Sequence, residues 1–130
     1  MEILSHFPLI EDNTRYYLIK TNNGKYYQSY FENGWVGLYA LEVRLENAMA
    51  VIINKPNKQK ELQAFSEIKP GDIVLIPDFR HKHVAIGIVV SDFYIRDNKI
   101  YRQVKWVNVC DMENLQTLQR FFIKQRKKRN

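Results

Sequence analysis

The most regular pattern of hydrophobic and polar positions lies in the second half of the chain. Two apolar runs, within residues 72–76 and 84–90, are typical of buried strands. A third strand is predicted at 100–109, where the two faces alternate: Tyr101, Gln103, Lys105 and Val107 on one, and Ile100, Arg102, Val104, Trp106 and Asn108 on the other. Strands joined by such short links are antiparallel neighbours, because a parallel return needs a long crossover. The pattern therefore predicts a small, strongly curved β domain of the barrel type.

The first half of the chain carries weaker strand patterns separated by glycine turns. Residues 15–21 predict a strand, and Asn23-Gly24 supplies the two residues of a tight hairpin turn. Residues 25–30 fit either the return strand or the start of a short helix. Residues 35–40, W-V-G-L-Y-A, predict a further strand after the turn at Asn33-Gly34, whereas 41–53 fit either a helix face or a strand.

Two helices are predicted beside the strands. Residues 59–68 have apolar positions at helical spacing and end at Pro70-Gly71. Residues 114–128 carry an apolar stripe and a cationic C-terminal end, which the helix dipole favours. The sequence thus predicts a mainly β (α+β) protein, a small, partly open antiparallel β-barrel with short peripheral helices and a basic C-terminal helix.

Charge divides the chain at the same place as the pattern. We expect a β-barrel domain over residues 1–111 and a basic amphipathic helix over 112–130, which also fits the stub of a longer protein. The net charge is +6, from 20 basic and 14 acidic residues. Six of the basic residues and none of the acidic ones lie in 120–130, so the remaining 119 residues are neutral. An attraction to nucleic acid is therefore predicted for the tail and not for the whole surface.

Composition limits the class of protein. A hydrophobic content of 45% and an aromatic content of 13% are typical of a folded domain. No apolar run approaches the roughly 18 residues that a membrane helix needs, and the acidic N-terminus lacks the basic region of a secretory signal. Cys110 is the single cysteine, which excludes a disulfide within the chain and fits a reducing compartment. We expect a cytoplasmic protein without a membrane partner.

No constellation of residues predicts catalysis or a cofactor. His81 and His83 lack the further ligands that a metal site needs. Cys110 has no catalytic cysteine signature around it, and a buried role at a strand end is expected. Asp72 follows a glycine at a strand start, which is turn chemistry and not a nuclease centre. The sequence therefore predicts a protein that is not an enzyme and binds no cofactor.

Aromatic and basic residues predict a binding surface. Trp35, Tyr39 and Trp106 are the candidates to stack on a base; the alternative is that they are core and rim residues, because aromatics are enriched in strands. The candidates for phosphate contact are Lys82, Arg102 and Lys105 and, in the tail, Arg126, Lys127, Lys128 and Arg129. For the tail the alternative is a solvated helix end.

The order of short motifs between residues 15 and 107 carries a resemblance to a known module. Y-Y-L-I-K-T-N-N-G-K-Y-Y, I-K-P-G-D-I-V-L-I-P, A-I-G-I-V-V and Y-R-Q-V-K-W-V follow one another as in a small N-terminal module of bacterial restriction-endonuclease-like proteins. That module tends to show Ile-Gly-Trp after its Asn-Gly, where this chain has Leu38-Tyr39-Ala40. If that tryptophan lines a pocket, either the pocket is altered in this chain or Tyr39 takes its place. The resemblance implies a PUA-like or SH3-like barrel that acts beside a nuclease domain in phage defence.

These observations together favour a non-catalytic nucleic-acid recognition module. We expect DNA more than RNA as its partner, and a modified or unpaired base as the feature that it senses. The alternative is a protein-interaction or dimerisation adaptor that docks through the apolar stripe of the C-terminal helix. Salt separates the two, because binding to phosphates weakens steeply as salt rises and apolar docking does not.

Overall fold

A computed structural model describes residues 15–111, and this part of the chain is mainly β, with 44% strand and 19% helix. The elements in chain order are β1 (Tyr16–Leu18), α1 (Tyr27–Asn33), β2 (Trp35–Gly37), β3 (Val43–Glu46), β4 (Met49–Ile52), a 3-10 turn (Pro56–Lys58), α2 (Gln59–Ser66), β5 (Ile73–Asp78), β6 (His83–Val89), β7 (Tyr94–Arg96) and β8 (Lys99–Asp111). Neither α-helix of this described part is long and apolar enough to cross a membrane. The predicted helix at 114–128, and with it the boundary at residue 112, lies outside the described residues.

The main sheet has the strand order β1-β5-β6-β8-β2, with β7 also paired to β8, and it curls into an open half-barrel. The predicted antiparallel arrangement of β5, β6 and β8 is confirmed. β1 instead pairs in parallel with β5, with Tyr16 opposite Ile73. A parallel return is open to β1 because two helices and the separate β3–β4 hairpin lie between it and β5.

The structure decides the two segments that the sequence left open. Asn22, Asn23 and Gly24 have φ angles of 55°, 56° and 94°, so the predicted turn is present, but it leads into α1 and not into a return strand. The helix prevails because it buries Tyr27 and Tyr30, three residues apart on one face. Residues 41–53 form the β3–β4 hairpin.

β5 and β6 are buried on both faces. The inner face contributes Val74, Ile76, Ala85 and Val89 to the main core, which α1 and α2 cover. On the other face Ile73, Leu75, Val84 and Ile86 are at most 1% exposed. Burial on both faces explains why these strands are continuous apolar runs, because a strand with one solvent-exposed face would alternate apolar and polar residues.

The alternation predicted for β8 holds as far as Trp106. Ile100, Arg102 and Val104 are buried, whereas Gln103 and Lys105 are exposed. The register with β6 then shifts between Ile86 and Gly87. This irregularity changes which face of the sheet the last residues of β8 occupy. Simple alternation along the sequence does not predict it.

Candidate nucleic-acid interface

The structure does not bring Trp35, Tyr39 and Trp106 into one aromatic pocket. Trp106 lies on the inner side of the sheet, where its indole N–H donates a hydrogen bond to the Tyr30 carbonyl at 3.1 Å. Its ring lies 5.9 Å from the Phe31 ring and packs against the core. Its contacts place Trp106 as a packing residue, which is the alternative that the sequence also offered.

Trp35 lies on the opposite side of the sheet, within a row of three rings. In the strand register Trp35 is opposite Gln103, and Tyr101 is opposite both Gly37 and Tyr94, so all these residues share the outward face. The Tyr101 ring centroid is 5.1 Å from that of Trp35 and 5.8 Å from that of Tyr94. All three rings are half-buried, so each keeps part of its surface in contact with solvent.

Gly37 makes room for this row. A Cβ atom at position 37 would lie 2.9 Å from Cδ1 of Tyr101 and 2.9 Å from the Ile100 carbonyl oxygen. Real Cβ atoms avoid such distances, so only glycine lets the Tyr101 ring lie across β2. We call the surface formed by Trp35, Tyr94, Tyr101 and their polar neighbours Arg96, Lys99, Gln103 and Lys105 the outer aromatic face.

The outer aromatic face is cationic. Arg96 and Lys99 face each other across the β7–β8 hairpin, and Lys105 is exposed further along β8, as the sequence predicted. β2, β7 and residues 99–106 of β8 contain no acidic residue. The charge of this face therefore favours anionic partners, although residues 1–119 taken together carry no net charge.

Tyr39 lies at a second surface, in the link after β2. Its ring stacks on Tyr26 with a centroid distance of 4.8 Å and an interplanar angle of 18°. Tyr39 borders a cavity of about 170 Å³ whose walls also carry Lys20, Lys55 and Lys58. These three lysines are exposed, and Lys20 is distant in sequence from Lys55 and Lys58, which lie together at the 3-10 turn. Only tertiary structure brings them together.

An apolar cavity of about 330 Å³ adjoins this one and shares Lys20, Leu38 and Glu61 with it. Its other walls include Leu18, Phe65 and Ile68. We call the two cavities together the Tyr39 groove. The groove has an apolar end suited to a flat ring and a lysine-rich end suited to an anion, with Glu61 as the acidic residue in its lining.

The Tyr39 groove and the outer aromatic face meet near Gly37. Lys99, on the face, donates a hydrogen bond from Nζ to the Tyr39 carbonyl at 3.0 Å. The Tyr30 hydroxyl lies beneath this junction and donates to the Gly37 carbonyl at 3.1 Å. Burial raises the pKa of Tyr30 well above its ordinary value, and the nearby hydroxyls of Tyr101, Tyr26 and Tyr39 raise it further. Tyrosines of both surfaces therefore surround one buried hydroxyl.

The prediction that Arg102 contacts a phosphate is wrong, because its side chain does not reach solvent. Its side chain is 1% exposed, and its guanidinium donates to the carbonyls of Phe65, Ser66 and Ser91 at 3.1, 2.8 and 3.1 Å. Burial lowers the pKa of the guanidinium, and the carboxylates of Asp92 and Asp72 partly oppose that shift. Arg102 therefore cannot contact a phosphate without unfolding its surroundings.

Lys82 lies apart from the groove, exposed at the tip of the β5–β6 hairpin with a φ of 55°. The neighbouring histidines gather around the buried Asp78, whose Oδ2 lies 2.8 Å from His81 Nδ1 and 3.6 Å from His83 Nε2. Within residues 15–111 no group of three or more His, Cys, Asp or Glu side chains is arranged to hold a metal ion. The tail candidates Arg126, Lys127, Lys128 and Arg129 lie outside the described residues.

Cys110 is half-buried near the end of β8, where a small packing residue was expected. Burial, and then the charge of Asp111, raises the pKa of its thiol to about 11. The thiol is therefore protonated at neutral pH, and a protonated thiol is a poor nucleophile.

Comparison with known proteins assigns the chain to a family. The model of one domain family, described as a domain of unknown function (DUF8426), matches residues 18–125. The chain belongs to the DUF8426 family. No curated protein and no solved structure matches it significantly. The match spans the residues of both surfaces from Leu18 onward, so the groove and the face belong to the DUF8426 domain itself.

Sequence reasoning missed several residues of this DUF8426 domain that line the two surfaces. Tyr101 could have been found, because it shares a predicted strand face with Gln103 and Lys105. No pattern in the sequence connects Lys20 with Lys55 and Lys58, since more than thirty residues separate them. Lys20 and the lysines of the 3-10 turn line one cavity only because the fold places these distant segments side by side.

Proposed function

We propose that this DUF8426 domain is a non-catalytic nucleic-acid recognition module that holds one base in the Tyr39 groove. The observation that carries the proposal is the Tyr39 ring, stacked on Tyr26 in the wall of a cavity that also carries Lys20, Lys55 and Lys58. An aromatic wall accepts the flat face of a base, and the lysines supply cations for its phosphates.

The size of the cavity beside Tyr39 supports a single base as its occupant. The cavity beside Tyr39 measures about 170 Å³, below the ~300–1,000 Å³ of sites that hold drug-sized ligands, and the adjoining apolar cavity measures about 330 Å³. A base enters such a groove only when it is unstacked from its neighbours, so an unpaired or easily extruded modified base is the preferred feature. DNA is proposed over RNA on the strength of the sequence resemblance.

The same resemblance supports a finer description of the fold and context. We propose that the half-barrel belongs to the PUA-like or SH3-like barrels, and that the domain acts in the cytoplasm beside a nuclease domain or partner in phage defence. The curled antiparallel sheet of β5, β6 and β8 supports the barrel assignment. We further propose that Tyr39 takes the place of the tryptophan of the resembled module, which keeps an aromatic ring in the pocket.

The test is fluorescence anisotropy with labelled DNA and RNA, at low and moderate salt. The probes are a single strand, its duplex, and duplexes carrying a mismatch or a modified cytosine. Tyr39→Ala removes the stacking ring and should weaken binding at least about fivefold, whereas Tyr39→Phe should bind like the parent. Lys58→Gln should weaken binding and make it less dependent on salt. Lys60→Gln changes an exposed neighbour outside the groove and should have little effect on binding.

The results also decide on the second proposal, an adaptor that binds protein. One observation favours it: the β3–β4 hairpin exposes Leu45 and Met49, with 59% and 69% of their surfaces accessible. Absence of binding to every nucleic-acid probe at low salt would contradict the recognition module. The hairpin and the predicted C-terminal helix would then be the surfaces to test for an apolar partner.

A further inference from the structure

We infer that the outer aromatic face is a second nucleic-acid contact, and that the ligand is a single-stranded segment running from this face into the Tyr39 groove. The inference rests on the proposed function of the groove. It goes further in naming the class of ligand: several consecutive unpaired nucleotides, and not one base flipped out of an intact duplex.

The rings of this face are arranged for stacking. Tyr101 lies between Trp35 and Tyr94, with centroid distances of 5.1 and 5.8 Å, and all three rings project from the same side of β2, β8 and β7. Sheet faces with exposed aromatics bind unpaired bases, because a base offers its flat face only when it has left the duplex stack. The three half-buried rings therefore favour a single strand.

The cations of this face suit the backbone of such a strand. Arg96 and Lys99 lie at one end of the ring row, and Lys105 lies exposed two residues beyond Gln103. The strands that carry the rings contain no acidic residue between 99 and 106, nor in β2 or β7. Phosphates along the row would meet attraction without a competing carboxylate from these strands.

The face and the groove are continuous. Lys99 bridges them through its hydrogen bond to the Tyr39 carbonyl at 3.0 Å, and the Tyr101 ring of the face covers Gly37, which also lines the groove. Trp35 and Tyr39 are four residues apart, so at most about 13 Å separates their backbones. At about 3.4 Å for each stacked nucleotide, that span corresponds to about four nucleotides.

The first experiment measures binding against ligand length. Unlabelled thymidine oligonucleotides of one to eight nucleotides compete with a labelled single strand in the anisotropy assay. The affinity should rise with length and level off at about four to six nucleotides. A duplex of the same length should bind at least about tenfold more weakly. Equal affinities for the duplex and the single strand would overturn the inference.

The second experiment reads the outer aromatic face directly. The chain has two tryptophans, so Trp106→Phe leaves Trp35 as the only one. Oligonucleotides of four or more nucleotides should quench the emission of Trp35, whereas a mononucleotide should not. Unchanged Trp35 emission at saturating oligonucleotide, with the anisotropy signal intact, would overturn the inference.

Matched variants separate this inference from the function proposed for the groove. Tyr94→Ala and Lys105→Gln should weaken the binding of the longer oligonucleotides at least about fivefold and leave the binding of the mononucleotide unchanged. Lys60→Gln is the charge-matched control. If these variants bind like the parent while Tyr39→Ala loses affinity, the groove stands and the face is excluded. If only the face variants lose affinity, the groove proposal fails and the face stands as the binding site.

Discussion

The guanidinium of Arg102 donates a hydrogen bond from Nε to the carbonyl oxygen of Phe65 at 3.1 Å, and so joins the middle of β8 to the last turn of α2. The same group also binds the carbonyls of Ser66 and Ser91. The rings of Phe65 and Phe93 lie 5.8 and 5.9 Å from the guanidinium carbon. Arg102 is therefore a buried structural hub that connects the sheet, the helix and the loop after β6.

Arg102→Met is predicted to lower the free energy of unfolding by about 3 kcal/mol, because it leaves the buried carbonyl of Phe65 and the partly buried carbonyls of Ser66 and Ser91 without their donor. Urea unfolding followed by circular dichroism measures the change. Arg96→Met is the matched control, since Arg96 is exposed, and its effect on stability should be small. A fully stable Arg102→Met protein that has lost only nucleic-acid affinity would contradict the structural role.

Gly87→Ala is predicted to destabilise the fold by about 1–3 kcal/mol. A Cβ at position 87 would overlap the Val104 side chain and lie 2.7 Å from Cε3 of Trp106, in the packed core. Thermal or urea unfolding measures the loss. The double variant Gly87→Ala with Val104→Ala should recover part of it, because the second substitution removes the methyl groups that the new Cβ meets. Simple addition of the two losses would argue against the steric cause.

The interactions of Asp78 predict that the folded protein loses stability in acid. Burial alone would raise the pKa of Asp78, but the hydrogen bonds from His81 and the charges of His81 and His83 outweigh it and lower the pKa below its ordinary value. A carboxyl with a lowered pKa in the folded state adds stability above its unfolded pKa of about 3.9, and loses it as the pH falls through the folded value.

Asp78→Asn should therefore unfold more easily than the parent at pH 7, and the difference should shrink at pH values below about 3.9. Urea unfolding at a series of pH values measures it. Asp97→Asn is the control, because Asp97 is exposed in the β7–β8 turn at a φ of 51°, which asparagine tolerates. A difference between Asp78→Asn and the parent that grows as the pH falls would contradict the sign of the shift.

The two tryptophans are predicted to differ in their contribution to stability. Trp106→Phe removes the donor to the Tyr30 carbonyl and should lower the free energy of unfolding by about 1 kcal/mol. Trp35→Phe leaves the ring row in place and should cost less. Urea unfolding of the two variants measures both losses. A larger loss for Trp35→Phe than for Trp106→Phe would argue against the structural role of the Trp106 hydrogen bond.

The elements predicted best were those whose neighbours in space are also neighbours in sequence. β5, β6 and β8 follow one another through short links, so period, turn residues and pairing agree, and α2 is visible from the spacing of Leu62 and Phe65. Residues 25–30 and 41–53 were ambiguous because their patterns fit both a helix and a strand. The structure of these two segments depends on the burial of Tyr27 and Tyr30 in the core, and on the packing of Val43 against it.

The candidate site divides in the same way. The outward facing of Lys105 and the half-buried position of Trp35 follow from strand alternation, which is a local property of the chain. Strand alternation places Arg102 on the buried face of β8, whereas its charge is typical of a surface residue. Only the tertiary structure shows why burial is tolerated, because it places three carbonyl acceptors around the guanidinium.

The sequence by itself determined the β class, the antiparallel second half and the turns at Asn23-Gly24 and Asn33-Gly34, because period and turn chemistry act over a few residues. Tertiary structure alone decided that β1 runs parallel to β5 and that Trp35 and Trp106 lie on opposite sides of one sheet. It also decided that Lys20 and Lys58 line the same cavity beside Tyr39. These outcomes depend on contacts between distant parts of the chain, and which distant surfaces bury each other is settled by packing the whole domain.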